Sequence, residues 1–165
     1  MGQTCACYNL RRASRAVTQL FDAYFDEIGL KATQFTVLAV LAYENDQQKD
    51  PTVTGLADLL VLEQSSLSRN LAVLERLGYV RLVPGSDRRE RIVQLTRTGR
   101  SALTRGYPIW RRAQNAVASE LDTSELSTQL KGLRRLTRAA QELRHAPRNA
   151  NGDARRSKKT VTDRV

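Results

Sequence analysis

The chain has 165 residues, with 27 Lys+Arg against 17 Asp+Glu, and so carries +10 at neutral pH. A hydrophobic content of 41% supplies one modest core, which excludes wholesale disorder, and the length fits one domain with or without a tail. The longest uncharged apolar run, residues 35–43, falls far short of the ~20 residues that span a bilayer. The N-terminal MGQTCACYNLRR has its basic pair after the small residues and no apolar centre, so no secretory signal is expected. Two cysteines one residue apart make no disulfide framework. The expectation is a soluble, cytoplasmic protein with no membrane partner.

The charge is concentrated in the middle. Residues 51–112 hold 11 basic side chains, all arginine, against 5 acidic ones, whereas residues 1–50 are nearly balanced. A positive field confined to one segment points to a polyanionic partner, and arginine suits bidentate contact with phosphates or guanine edges. A merely solvated basic face is the plain alternative on charge alone.

Leu10, Ala13, Val17, Phe21, Tyr24, Phe25 and Ile28 recur at three- and four-residue steps, which predicts an amphipathic helix over about 9–27, ended by Gly29. Phe35, Leu38, Ala39, Leu41 and Ala42 predict a second, buried helix. Residues 44–51 have the composition of a surface turn.

Thr54 is the expected cap of a short helix over 55–60 with Leu56, Leu59 and Leu60 inward. After a break at 61–63, a helix from Gln64 to Leu77 buries Leu67, Leu71, Leu74 and Leu77. That leaves Gln64, Ser65, Ser68, Arg69 and Arg76 outward. A short helix, a tight turn and a second helix with a polar, arginine-bearing face read as a helix-turn-helix or as a plain helical hairpin.

The following segment favours the first. Val80 and Leu82, then Val93 and Leu95, alternate with their neighbours as two strands around the turn Pro84-Gly85-Ser86. Arg88, Arg89 and Arg91 cluster at the tip. A helix-turn-helix with an arginine-tipped hairpin is a winged helix, which places one helix in a major groove and an arginine near the adjacent minor groove.

Thr96 is the expected cap of a long helix reaching about Leu121, with a kink at Tyr107-Pro108. Asp122 or Thr123 starts a last helix, on which Leu126, Leu130, Leu133, Leu136, Ala140 and Leu143 repeat at helical spacing. Beyond it the chain is polar and basic. The organisation expected is an N-terminal segment 1–8 with the cysteine pair, a domain over 9–145, and a disordered basic tail over 146–165.

This layout resembles the MarR family of bacterial transcription regulators over roughly residues 8–145. Gly29-Leu30-Lys31-Ala32-Thr33-Gln34-Phe35 stands where the family has Gly-Leu-Thr-x-x-Gln-Phe. The stretch from Leu56-Ala57 through Ser68-Arg69-Asn70-Leu71 to Leu77-Gly78-Tyr79-Val80 is similar to its helix-turn-helix. Asp87-Arg88-Arg89 and Leu95-Thr96-Arg97-Thr98-Gly99 are similar to its wing and the exit from it. Two residues depart from the pattern. Lys31 replaces a capping threonine, a loss of ~1 kcal/mol that is expected to shift or fray the helix start. Val61 stands at a turn position where glycine is common.

The resemblance implies a mainly α fold with a small β-hairpin wing, a DNA-binding lobe over about 50–97 and dimerisation helices over about 9–27 and 97–145. It also implies a homodimer that meets a pseudo-palindromic operator in double-stranded DNA. Gln64, Ser65, Ser66, Ser68 and Arg69 fall where the family places major-groove contacts, although any of these serines is also explained by a bond to local backbone. Arg89 is the expected minor-groove arginine, Asp87 its brace through a salt bridge, and Arg76 and Arg88 are expected at phosphates. The apolar closing helices themselves exceed what one small winged domain buries, which agrees with a dimer.

The family also takes up anionic aromatic effectors between its dimer helices and DNA-binding lobe, where Tyr24, Phe35, Tyr107 and Trp110 are candidates here, though aromatic residues at helical spacing are also ordinary core. Three readings of Cys5 and Cys7 stay open. They are ordinary thiols, or a redox switch favoured by Arg11, Arg12 and a helix start, as in some family members. Or they form a metal site completed by His145 of the partner subunit, since zinc ordinarily needs more than two ligands. His145 alone reads as a charge at a helix C-terminus.

With one histidine and no Gly-rich phosphate loop, carboxylate pair or nucleophile elbow, the chain is not expected to be an enzyme, and no cofactor is expected beyond that metal ion. The expected function is a sequence-specific repressor relieved by a small molecule, oxidant or metal. The alternative is an architectural protein that binds DNA without sequence preference.

Overall fold

A computed structural model describes residues 4–87 and 90–146. The order of elements is α1 (Ala6–Phe25), a short 3₁₀ turn (Asp26–Ile28), α2 (Ala32–Asp46), α3 (Val53–Leu60), α4 (Gln64–Arg76), β1 (Val80–Pro84), β2 (Arg91–Leu95), α5 (Arg97–Glu120) and α6 (Thr123–His145). The chain divides into two compact units, Met1–Val117 and Ala118–Val165. The fold is mainly α with a two-stranded antiparallel hairpin, a winged helix-turn-helix. Arg88 and Arg89 lie outside the described residues, as does the basic tail from Pro147 onward.

Helix α1 begins at Ala6, three residues before the expected start, and its opening turn is held locally. Asn9 Nδ2 donates to the Cys5 carbonyl at 3.0 Å, and the Arg12 guanidinium lies over the Tyr8 ring, 5.5 Å from its centroid. At the other end the chain tightens into the 3₁₀ turn. Gly29 then takes φ +65°, a left-handed conformation that glycine adopts without a Cβ clash. The helix is therefore longer at its start and shorter at its end than the expected 9–27.

The start of α2 is not frayed by Lys31. Its N–H donates to Gln34 Oε1 at 2.9 Å, and Asp22 Oδ1 on α1 accepts the first helical N–H, that of Ala32, at 2.7 Å, a different donor from the one a threonine cap would take. The lysine ammonium, which accepts nothing, turns to Asp26 instead at 2.9 Å. That carboxylate raises the Lys31 pKa, chiefly through the hydrogen bond and then through its charge.

The short helix α3 is capped one residue pair earlier than expected. Thr52 Oγ1, not Thr54, accepts the Gly55 N–H at 3.0 Å. The buried face is Leu56 and Ala57, with Leu60 packed alongside; Leu59 falls on the far side and is 55% exposed. In α4 the buried stripe is Leu67, Leu71 and Leu74. Leu77 closes the helix as its cap and is exposed, against the expectation.

The hairpin pairs Val80 with Leu95 through Pro84 with Arg91. A third segment extends it: Val93 N–H donates to the Pro51 carbonyl at 2.9 Å, and Thr52 bridges Ile92. Its stem is tied to the loop after α2 by a polar chain, in which Arg81 donates to Gln94 at 2.9 Å and Gln94 to Asp50 at 3.1 Å. Thr96 closes the hairpin onto α5. Its Oγ1 accepts the Gly99 N–H at 3.0 Å and donates to the Gly78 carbonyl at 2.7 Å.

The core of the first unit has two clusters. Leu38, Leu41, Leu56, Leu67, Leu71, Leu74, Val80 and Val93 form the larger, under the winged lobe. Phe25, Leu30, Phe35 and Ile109 form the smaller, with the Phe25 and Phe35 rings 4.7 Å apart. Each fully buried leucine or phenylalanine side chain contributes about 1.5–3 kcal/mol of transfer free energy, so α4 is anchored firmly by its inner stripe. Helix α5 runs without interruption through Pro108, where a kink was expected. Both Pro108 and Thr104, whose carbonyl loses its helical N–H partner, are exposed.

In the second unit, α6 starts at Asp122, whose carboxylate accepts the Ser124 N–H at 3.0 Å. None of its described side chains is buried, and Leu130, Leu133, Leu136 and Leu143 form an exposed apolar stripe. No helix among the described residues is long and apolar enough to cross a membrane.

Candidate nucleic-acid interface

Burial of Leu67, Leu71 and Leu74 turns the opposite side of α4 to solvent. At steps of four, three and four residues, Ser65, Arg69, Ala72 and Arg76 fall on one outward stripe, and all four are exposed. Gln64, Ser66 and Ser68 are exposed on its flanks. Ala72 was not among the expected contacts, yet the same spacing that picks out Arg69 and Arg76 includes it.

The polar groups on this face are not equivalent. Ser68 Oγ donates to the Gln64 carbonyl at 2.8 Å, the local backbone bond expected of a helix serine. Arg69 Nη2 donates to Ser66 Oγ at 3.2 Å. The one acid on the inner edge, Glu75, is occupied structurally, since its Oε1 accepts the Leu82 N–H at 3.1 Å and ties β1 to α4. Arg69 and Arg76 have no ion-pair partner among the described residues, whereas Lys31, Arg100 and Arg112 are each matched to a carboxylate.

Between α4 and the hairpin runs a groove of about 270 Å³, bordered by Gln64, Ser68, Ala72, Glu90 and Arg91. Arg91 thus sits in the stem of the wing facing the recognition helix, a cation that the expectation placed only in the tip cluster. Asp87 is exposed, and its carbonyl accepts the Glu90 N–H at 2.9 Å where the hairpin turns. Its expected bridge to Arg89 falls outside the described residues.

A second concavity lies between α2 and α5 in the first unit. It is an open, largely apolar cleft of about 460 Å³ lined by Phe35, Ala39, Val40, Tyr43, Tyr107 and Trp110. The Tyr107 and Trp110 rings stack at 5.6 Å. Three of the four expected aromatic residues meet here. Tyr24 does not line it and instead lies under the Arg112 guanidinium, 5.5 Å from its centroid. Arg112 in turn grips Glu27 with both terminal nitrogens, at 2.9 and 3.0 Å, and its pKa is raised by that hydrogen-bonded carboxylate.

Cys5 is the cap residue of α1 and Cys7 lies in its first turn; both are free thiols and exposed. His145 ends α6 and is exposed. Among the described residues no three His, Cys, Asp or Glu side chains are grouped to hold a metal ion.

A helix-turn-helix whose second helix carries an arginine stripe without carboxylate partners among the described residues, beside a two-stranded wing, defines a DNA-binding transcription regulator of the winged-helix class. The sequence pattern of the MarR family matches residues 28–90, from the end of the 3₁₀ turn to the wing. A crystal structure of the M. tuberculosis transcriptional regulator MosR in complex with DNA is 35% identical, with a TM-score of 0.75, over 85% of this chain and 98% of that one. The chain belongs to the MarR family, whose members are regulators and not enzymes. The same architecture recurs in apo MarR from E. coli, 20% identical, TM-score 0.64, over 80% and 96% of the two chains. It recurs again in the S. aureus MepR–DNA complex, 20% identical, TM-score 0.69, over 83% and 99%. No curated protein matches the sequence.

Proposed function

We propose that the chain is a homodimeric repressor that binds a pseudo-palindromic operator in double-stranded DNA and is released by a small molecule, an oxidant or a metal. The observation that carries this reading is the outward stripe Ser65, Arg69, Ala72 and Arg76, whose two arginines have no carboxylate partner among the described residues. MosR, the 35% identical relative, was crystallised with DNA.

In this reading α4 enters the major groove. Gln64, Ser65, Ser66, Ser68 and Arg69 face base edges, and Arg76 and Arg88 meet phosphates. Arg89 reaches the minor groove with Asp87 as its brace. The lobe over about 50–97 holds these groups, and the helices over about 9–27 and 97–145 pair two protomers. The exposed leucine stripe of α6, with Leu143 at 77% exposure, supports the pairing, because an apolar face of that length in water favours association. Two lobes related by a two-fold axis then meet half-sites about one DNA turn apart. The apolar cleft lined by Tyr107 and Trp110 suits an aromatic effector, and the exposed thiols of Cys5 and Cys7 suit an oxidant or a soft metal shared with His145 of the partner subunit. Such a protein works in the cytoplasm.

The test is selection of bound duplexes from a randomised pool, followed by footprinting and sedimentation of the free protein. The reading predicts a symmetric protected stretch, a two-protomer species, and a preference of about 10³-fold or more over unrelated DNA at physiological salt. Arg89→Ala should weaken operator binding at fixed salt. Binding without sequence preference would instead mark an architectural protein.

A further inference from the structure

The tether between Ser66 and Arg69 on α4 bears on which base is read. Arginine carries five N–H donors in a planar fork, and one edge of the Arg69 fork is held by a hydroxyl one turn earlier, Nη2 to Ser66 Oγ at 3.2 Å. The contact occupies part of one nitrogen only. It also uses the acceptor side of the serine, so the Ser66 O–H can still turn outward. No carboxylate competes for this guanidinium among the described residues. Arg69 is therefore pre-oriented and still has two adjacent donors to present. In a major groove, two adjacent acceptors are offered by guanine, through O6 and N7, whereas adenine puts a donor where guanine has O6. A fork of donors meets that donor unfavourably.

We propose that Ser66 is a positioning residue that holds Arg69 for bidentate reading of one guanine in each half-site. The proposal rests on the reading of α4 as the major-groove helix. It changes the part played by Ser66, which acts through Arg69 and not by its own contact with a base.

The probe is the best duplex recovered from a randomised pool by the full chain, together with a set in which each base pair is replaced in turn. Wild type should prefer guanine at one position per half-site by roughly tenfold or more. Arg69→Ala should flatten the preference at that position alone. Ser66→Ala should shrink it several-fold, read as the ratio of affinities between the guanine duplex and its replaced-base partners, and Ser66→Thr, which keeps the hydroxyl, should retain it. All variants are compared at one salt concentration after their melting curves are matched to wild type. If Ser66→Ala keeps the full preference, or weakens every duplex alike, the positioning role is overturned while α4 remains the reader. If wild type shows no base preference anywhere, or Arg69→Ala changes none, the reading of α4 itself fails and the proposal with it.

Discussion

The Asp22 carboxylate accepts the Ala32 backbone N–H at 2.7 Å, so a side chain near the end of α1 caps the next helix ten residues on. The first orphan donors of a helix need an oxygen, and Lys31 has none to give. Supply from α1 makes the joint between α1 and α2 tertiary where the family pattern makes it local. Asp22→Ala should lower stability by about 1 kcal/mol, and Asp22→Asn, which keeps an acceptor, by less. Urea unfolding of the three proteins measures this, and equal midpoints would show the cap to be idle.

That cap also marks the limit of what the sequence discloses. Helices α2, α4 and α6 follow apolar repeats that any single-chain reading detects, and the hairpin follows its alternation and its Pro84-Gly85 turn. The outward residues of α4 follow from the same arithmetic, since fixing Leu67, Leu71 and Leu74 inward fixes Arg69 and Arg76 outward. What escapes is whatever depends on partners distant in sequence or on a choice between near neighbours. Asp22 reaches Ala32 only once the two helices pack. Thr52 wins the cap over Thr54 because Pro51 and Thr52 also join the edge of the hairpin, which sets where α3 can begin. Tyr24 shares its helical period with the core aromatics, but it packs beside the Phe25 cluster and under the Arg112 guanidinium, partners that its own segment does not reveal.

Gly99 is set by close approach. It is buried in the first turn of α5, and a Cβ built there collides with the carbonyl oxygen of Tyr79. That carbonyl cannot retreat cheaply, because it also accepts the Thr96 N–H at 3.1 Å and lies next to the Gly78 carbonyl bound by Thr96 Oγ1. Gly99→Ala should therefore cost about 1–3 kcal/mol despite the better helix propensity of alanine. Because the shift would separate the wing from α5, DNA affinity should fall more than in an equally destabilised core variant. Thermal melts paired with binding curves distinguish the two effects.

Val61 carries the opposite strain. It ends α3 at φ +53° and ψ +42°, the left-handed region, where a β-branched side chain is poorly accommodated. Its side chain is 53% exposed, so little burial is lost on removing it. Val61→Gly should raise stability by about 0.5–1 kcal/mol, the relief of a left-handed non-glycine residue less the backbone entropy of glycine. A urea midpoint below that of wild type would contradict the strain.

The Lys31–Asp26 pair fixes the sign of one pH effect. Asp26 raises the lysine pKa above its ordinary 10.5, so the folded state holds that proton more tightly than the unfolded chain does. The resulting stabilisation is fully present below the ordinary lysine pKa and disappears as pH rises through the raised one. The difference in unfolding midpoint between wild type and Lys31→Met should stay constant from about pH 6 to 9 and close only in strongly alkaline buffer. A difference that changes across neutrality would assign the effect to another group.

Arg76 and Arg69 share a stripe but should answer differently to salt. Arg76 is in the last turn of α4, beyond the N-terminal residues that a recognition helix presents to base edges, so a phosphate is its expected contact in the proposed complex. A phosphate contact releases condensed counterions, so its removal weakens binding to every duplex alike and lowers the slope of log K against log salt by about 1. Arg76→Ala should do both and leave the ranking of duplexes unchanged. Charge loss alone does not separate the two arginines, since each variant loses one positive charge. The separation lies in the ranking, which Arg69→Ala should alter at one position and Arg76→Ala at none. Binding isotherms for three duplexes at four salt concentrations measure slope and ranking together, and a change of ranking in Arg76→Ala would move that residue to the bases.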